Sequence, residues 1–212
     1  MIGRRARWAL SVGLVGAVAL SVPGSWPHEA QDRVSPVSPG SSALARARKV
    51  KRRMVALSGA EREEAREGAI RAYERVWSAE GSPLRIATEA AFRAGELARA
   101  GGQLERARAL FRRAARAQLQ GFSARARLEL AHLDRRAEDW DGAIRGYEGL
   151  LLAGCDDPYL CDEALFWLAR AQREAGRERL AEGALKLLVQ RVAAGSLRKR
   201  VFRELARAEL VD

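Results

Sequence analysis

The sequence predicts an all-α fold: an α-solenoid of antiparallel helix hairpins with a C-terminal capping helix, preceded by a signal or anchor segment and a disordered linker. Three observations predict it. Four times a small alanine is followed one helical turn later by a bulky residue: Ala69 and Tyr73, Ala107 and Phe111, Ala143 and Tyr147, Ala181 and Leu185. The alanines are 38, 36 and 38 residues apart, a period that marks repeated helical units, each burying its apolar face only against its neighbours. A glycine or acidic residue also falls five positions before each alanine, at Glu64, Gly102, Glu138 and Gly176, where a break between helices is expected. Finally, alanine, leucine, arginine and glutamate dominate, proline is scarce beyond residue 40, and β-branched residues nowhere alternate over a strand length.

The elements follow in order from their punctuation. Ser58 and Glu61 have the spacing of a capping box, opening a helix over residues 60–79 that Gly81 closes. Ser82 then caps a helix whose first residue is Pro83, where the missing amide costs nothing. That helix runs to residue 100 and breaks at Gly101 and Gly102, which permit an antiparallel return over 104–119. Helices over 123–137 and 140–152 form the next hairpin, turning at Glu138 and Asp139. Asp157 and Pro158 repeat the cap-then-proline device before a helix to residue 175. Gly176 breaks it, 179–192 is its partner, and Gly195 and Ser196 separate off a last helix ending near residue 210. An alanine at each crossing lets two helices approach closely, and the large residue one turn on fills the adjoining hole.

Four domain segments result. Residues 1–22 carry Arg4, Arg5 and Arg7 ahead of an uncharged run from Trp8 to Val22, the pattern of a signal peptide or signal anchor. Fifteen uncharged residues are short of the ~20 that span a bilayer, which favours the signal peptide. The arginines stay on the cytoplasmic side, so an extracytoplasmic, periplasmic body is expected, soluble after cleavage or anchored by this segment. No cysteine follows the apolar run to carry a lipid. Residues 23–44 hold Pro23, Pro27, Pro36 and Pro39 among serines and glycines and read as a linker. Residues 45–57 form a basic lead-in, with six cations between Arg46 and Arg53 that read as a helical lead-in, with contact to anionic lipid headgroups as the alternative. Residues 58–211 form the repeat domain.

The chain carries 38 Lys and Arg against 27 Asp and Glu, a formal net charge of +11. Such an excess raises nucleic acid or an anionic membrane surface as an alternative partner, with residues 4–22 and 46–53 as the membrane-contacting segments. Nearly all the cations are arginine, and within the repeats they alternate with glutamate as on solvated, ion-paired helix faces. Nucleic acid is therefore not favoured. No cluster of acid, base and nucleophile is displayed, so no enzyme and no catalytic residue is expected. With two histidines, two cysteines and no ligand spacing, no metal and no cofactor is expected either. Cys155 and Cys161 flank one short turn; a disulfide is the favoured reading, with two free thiols or a redox pair as alternatives.

The residues resemble the tetratricopeptide repeat family. The resemblance is carried by Gly95, Gly102, Ala107, Phe111 and Ala114, then by Leu130, Ala131, Trp140, Ala143 and Tyr147, then by Leu168, Ala169, Gly176, Ala181 and Leu185. The passage from Trp140 to Leu205 is similar in style to bacterial periplasmic members, those of the outer-membrane-protein assembly lipoprotein and the Tol-Pal coordinator. The resemblance implies a protein-protein interaction scaffold of the cell envelope, with a groove lined by the first helix of each hairpin. The matching groove positions are Phe92, Glu96 and Arg99, then Leu128, His132 and Arg135, then Phe166, Arg170 and Arg173. The arginines among them imply a protein partner bound through an acidic peptide segment.

Overall fold

The computed structural model describes residues 39–117, 121–154, 157–191 and 203. Its described residues form eight α-helices in order: α1 (Pro39–Met54), α2 (Gly59–Ser78), α3 (Leu84–Ala100), α4 (Leu104–Ala115), α5 (Phe122–Arg136), α6 (Trp140–Leu152), α7 (Pro158–Glu174) and α8 (Glu178–Arg191). Each packs on the helix before and after it, and α1, α3, α5 and α7 also touch in succession. The described region is thus an α-solenoid of four hairpins, α1/α2 through α7/α8, with α1, α3, α5 and α7 side by side as one layer.

The alanine and bulky pairs are the core of this stack. Ala69, Ala107, Ala143 and Ala181 are fully buried, as are Phe111 and Tyr147, while Tyr73 and Leu185 are within 1% of it. The helices approach so closely at two places that only glycine fits. A Cβ at Gly95 would lie 2.7 Å from the Phe111 ring, and one at Gly146 would lie 2.8 Å from the Ala131 Cβ.

Three of the four hairpins turn through the same corner. In the first, the Gln103 amide donates to the Ala98 carbonyl and the Gly102 amide to the Arg99 carbonyl. Asp139 and Glu138 repeat this on Asp134 and Arg135, and Arg177 and Gly176 on Gln172 and Arg173. This is the paired hydrogen-bond pattern that closes a helix through a left-handed residue. That residue is Gly102 at φ 76°, Gly176 at φ 72° and, alone among the described non-glycine residues, Glu138 at φ 59°.

The structure corrects several local expectations. Helix α1 begins inside the segment expected to be a linker and runs through the basic lead-in, because Leu44, Ala47 and Met54 make a buried stripe against α2 and α3. It supplies the first helix of a complete opening hairpin. Glu64 lies within α2 and breaks nothing; the chain turns at Gly59, whose φ is 54°. The Ser58 side chain makes no capping bond, and the Ser82 hydroxyl donates to the Val76 carbonyl across the α2/α3 turn instead of capping α3. The Asp157 and Pro158 device is present: Asp157 Oδ1 accepts from the Tyr159 amide at 3.0 Å with Pro158 opening α7. Asp139 acts alike at α6, accepting from the Gly142 amide at 2.8 Å. The signal segment, most of the linker, Cys155 and the capping helix other than Arg203 lie outside the described residues. No helix among the described residues is long and apolar enough to cross a membrane.

Candidate functional site

A cleft of about 290 Å³ opens where α3, α5 and the start of α7 meet. Helical periodicity aims one face of each element into it. Phe92 and Glu96 come from α3, one turn apart, and Arg125, Leu128 and Glu129 come from α5 at the i, i+3, i+4 spacing. Asp157, Tyr159, Leu160 and Glu163 come from the first turns of α7, whose origin the Asp157 cap fixes.

The floor is apolar and rigid. Phe92, Leu128 and Leu160 are buried, and Phe92 stacks at tilted angles on Phe111 and Phe122, with centroids 5.7 and 5.5 Å away. Arg93 lies over the Phe92 and Phe122 rings, 5.7 and 5.2 Å from their centroids. The walls are charged, with four carboxylates and one guanidinium. Glu96 accepts from Arg93 at 2.8 Å and faces Lys51 of α1 at 3.6 Å. Glu129 pairs with Arg99 at 3.2 Å and Asp157 with Arg125 at 3.6 Å. Tyr159 stands at the mouth, 83% exposed.

His132 sits one turn beyond this cleft. Its Nδ1 lies 2.6 Å from the Tyr147 hydroxyl and its Nε2 lies 3.6 Å from Glu163. Burial pushes the Tyr147 phenol well above its ordinary pKa, against the opposing pull of Arg135. The Nδ1 and hydroxyl pair is one hydrogen bond that ties α5 to α6, and the Nε2 contact with Glu163 ties α5 to α7. The Trp167 ring packs edge-on to His132, with Arg135 stacked 4.0 Å from its centroid and Arg170 at 5.4 Å. Together these groups hold α5, α6 and α7 against one another.

Of the nine residues expected to line a groove, Phe92, Glu96 and Leu128 line this cleft and His132 abuts its Glu163 wall. Phe166 is buried and meets Trp167 edge-on. Arg99, Arg135, Arg170 and Arg173 do not line it: Arg99 is turned onto Glu129, Arg135 and Arg170 onto Trp167, and Arg173 onto Glu178 at 3.3 Å. The sequence reading missed Arg125, Glu129, Asp157, Tyr159, Leu160 and Glu163. The signal for the α5 pair was present, since Arg125 and Glu129 flank Leu128 on one helical face. Cys161 is disulfide-bonded, while Cys155, expected as its partner, lies outside the described residues. Among the described residues no cluster of three His, Cys, Asp or Glu is placed to hold a metal ion.

Solved structures with this architecture are TPR-like repeat proteins. The chain is similar to the nearly identical TPR-like repeats of a kinesin light chain type from Podosopora anserina, at TM-score 0.60 and 17% identity, covering 81% of this chain and 87% of that one. It is also similar to BtubC from P. vanneervenii, at TM-score 0.52 and 16% identity, covering 80% of this chain and 75% of that one. At such identity the likeness is one of fold, and the fold is a TPR-like helical repeat. No family model and no curated protein matches the chain by sequence.

Proposed function

We propose that the protein is a scaffold of the bacterial cell envelope that holds a segment of a partner protein in the cleft between α3, α5 and α7, and that it binds without turnover. The carrying observation is the cleft itself: an apolar floor and charged walls, built from three successive hairpins on the layer of first helices. At about 290 Å³ it has room for one long side chain of an extended segment. An arginine rim would favour an acidic segment, but the arginines are engaged with neighbouring side chains, and each of the four carboxylates of the lining faces a basic side chain in turn, so neither sign of charge is left over. A segment that seats an apolar side chain on the floor and meets the ion pairs of the walls with polar groups complements it. The envelope location is supported by the positive and apolar pattern of residues 1–22.

A photo-crosslinking amino acid at Tyr159, compared with one at the exposed Leu152 outside the cleft, tests the binding site. Adducts are expected from position 159 and not from 152, mapping to one segment of a partner protein. Equal capture from both positions, or none from either, would overturn the site. For location, residues 1–40 fused to a reporter active only outside the cytoplasm should give signal, and a silent fusion withdraws the envelope reading.

A further inference from the structure

Helix α1 differs in charge from every other described helix. It carries Arg46, Arg48, Lys49, Lys51, Arg52 and Arg53 and no carboxylate, whereas α2 to α8 each mix both signs. Six cations without an anion equal more than half of the chain's net charge of +11. The helix sorts them by face. Leu44, Ala47 and Met54 face the core. Arg48 and Lys51 reach α3, where they pair with Glu89 and Glu96 at 2.5 and 3.6 Å. Arg46, Lys49, Arg52 and Arg53 share the outer face and are exposed, and their side chains make no ion pair or hydrogen bond. The helix dipole favours cations in the last turn, which accounts for Arg52 and Arg53. It does not account for Arg46, in the middle of the helix, or for the absence of any balancing acid.

We infer that the outer face of α1 is a docking surface for an anionic lipid bilayer. Four unpaired cations on one face, at the spacing i, i+3, i+6 and i+7, present a flat positive strip that a phosphate-bearing surface neutralises without displacing an internal partner. Cations held close to an anionic leaflet are attracted to it, and the attraction falls off within a Debye length. Sequence continuity selects the bilayer over nucleic acid: only sixteen residues separate α1 from the uncharged run 8–22. Kept as an anchor, that run and the basic strip are two signals that together give stable membrane attachment; cut as a signal peptide, it has still brought the chain to the membrane, where the strip binds alone. This surface lies on α1 and stands independently of the peptide cleft.

The test is co-sedimentation of the full-length protein with phosphatidylcholine vesicles and with vesicles containing about one part in three phosphatidylglycerol. The quadruple variant Arg46→Ser, Lys49→Ser, Arg52→Ser, Arg53→Ser is compared with an equal charge removal elsewhere, Arg112→Ser, Arg136→Ser, Arg145→Ser, Arg179→Ser. The α1 variant is expected to lose the extra partitioning onto phosphatidylglycerol by about tenfold or more, with its melting temperature lowered no more than that of the control variant, which keeps most of the partitioning. Equal losses in the two variants, or no loss in the α1 variant, overturn the inference. So does an α1 variant that keeps its vesicle binding but loses affinity for duplex DNA. Crosslinking from Tyr159 is unaffected by these substitutions, so the two sites fail separately.

Discussion

Glu138 occupies a backbone conformation that its equivalents, Gly102 and Gly176, adopt without a Cβ. Left-handed backbone costs a residue with a side chain about 1 to 2 kcal/mol. Glu138→Gly should therefore raise stability by about 1 kcal/mol, read as a higher midpoint in urea with an unchanged slope. The helical glycines divide on the same physical ground. Gly68, Gly149 and Gly183 have open space where a Cβ would go, so alanine at any of them should stabilise by about 0.5 to 1 kcal/mol. Gly95→Ala drives a methyl into the fully buried Phe111 ring and should destabilise by about 1 to 3 kcal/mol despite better helix propensity. Parallel thermal melts of the four variants separate the two groups. If Gly95→Ala melts above the parent, the close crossing of α3 and α4 is not as described.

Between elements, charge fastens what apolar packing has already joined. Arg106 of α4 spans Glu67 and Glu74 of α2, at 2.9 and 3.0 Å, and Gln103 hydrogen-bonds to the same Glu67. The Gln103 and Arg106 hydrogen bonds hold the Glu67 carboxyl below its ordinary pKa. A carboxyl depressed in the folded state contributes stability above its unfolded pKa of about 4.3 and loses it as pH falls through the folded value. Glu67→Gln should thus lower the melting temperature at pH 7 and flatten its decline below about pH 4. An unchanged acid limb would remove Glu67 from that role.

What was legible in the sequence is also clearest between elements. Seven of the eight described helices and their order followed from alanine phase and glycine breaks, because crossings that admit only a small residue leave a mark in composition. Helix α1 left little mark. Prolines and serines precede it, and its buried stripe is only Leu44, Ala47 and Met54 among cations. The capping box at Ser58 and Glu61 was matched in residue type but not in backbone, since Gly59, the first residue of α2, is left-handed. In the cleft, the resemblance to tetratricopeptide repeats sufficed to find Phe92, Glu96 and Leu128. It could not show that Arg99 turns onto Glu129, since that pairing depends on how α3 and α5 cross.

At the scale of the helical unit, each hairpin is secured by its neighbours, and the buried residues fall into three clusters along the stack: α1 to α5, α5 to α7, and α7 with α8. Stability in such an array sums nearest-neighbour interfaces and need not be lost all at once. Leu188 is fully buried in the last cluster and Phe111 in the first. Leu188→Ala should cost about 2 to 5 kcal/mol and speed amide exchange in α7 and α8 while leaving α2 to α4 protected. Phe111→Ala, at about 3 to 5 kcal/mol, should expose α2 to α5 first. Uniform loss of protection in both variants would show a single cooperative block instead.

The shared corner between paired helices makes the chain modular. Gly102 and Glu138 occupy the same point of successive corners, so excising residues 103–138 joins one corner to the next in phase. The shortened protein should seat α6 on α3 and fold as three hairpins, and an in-frame duplication of the same 36 residues should give five. Length in this architecture is therefore adjustable by recombination at the corners.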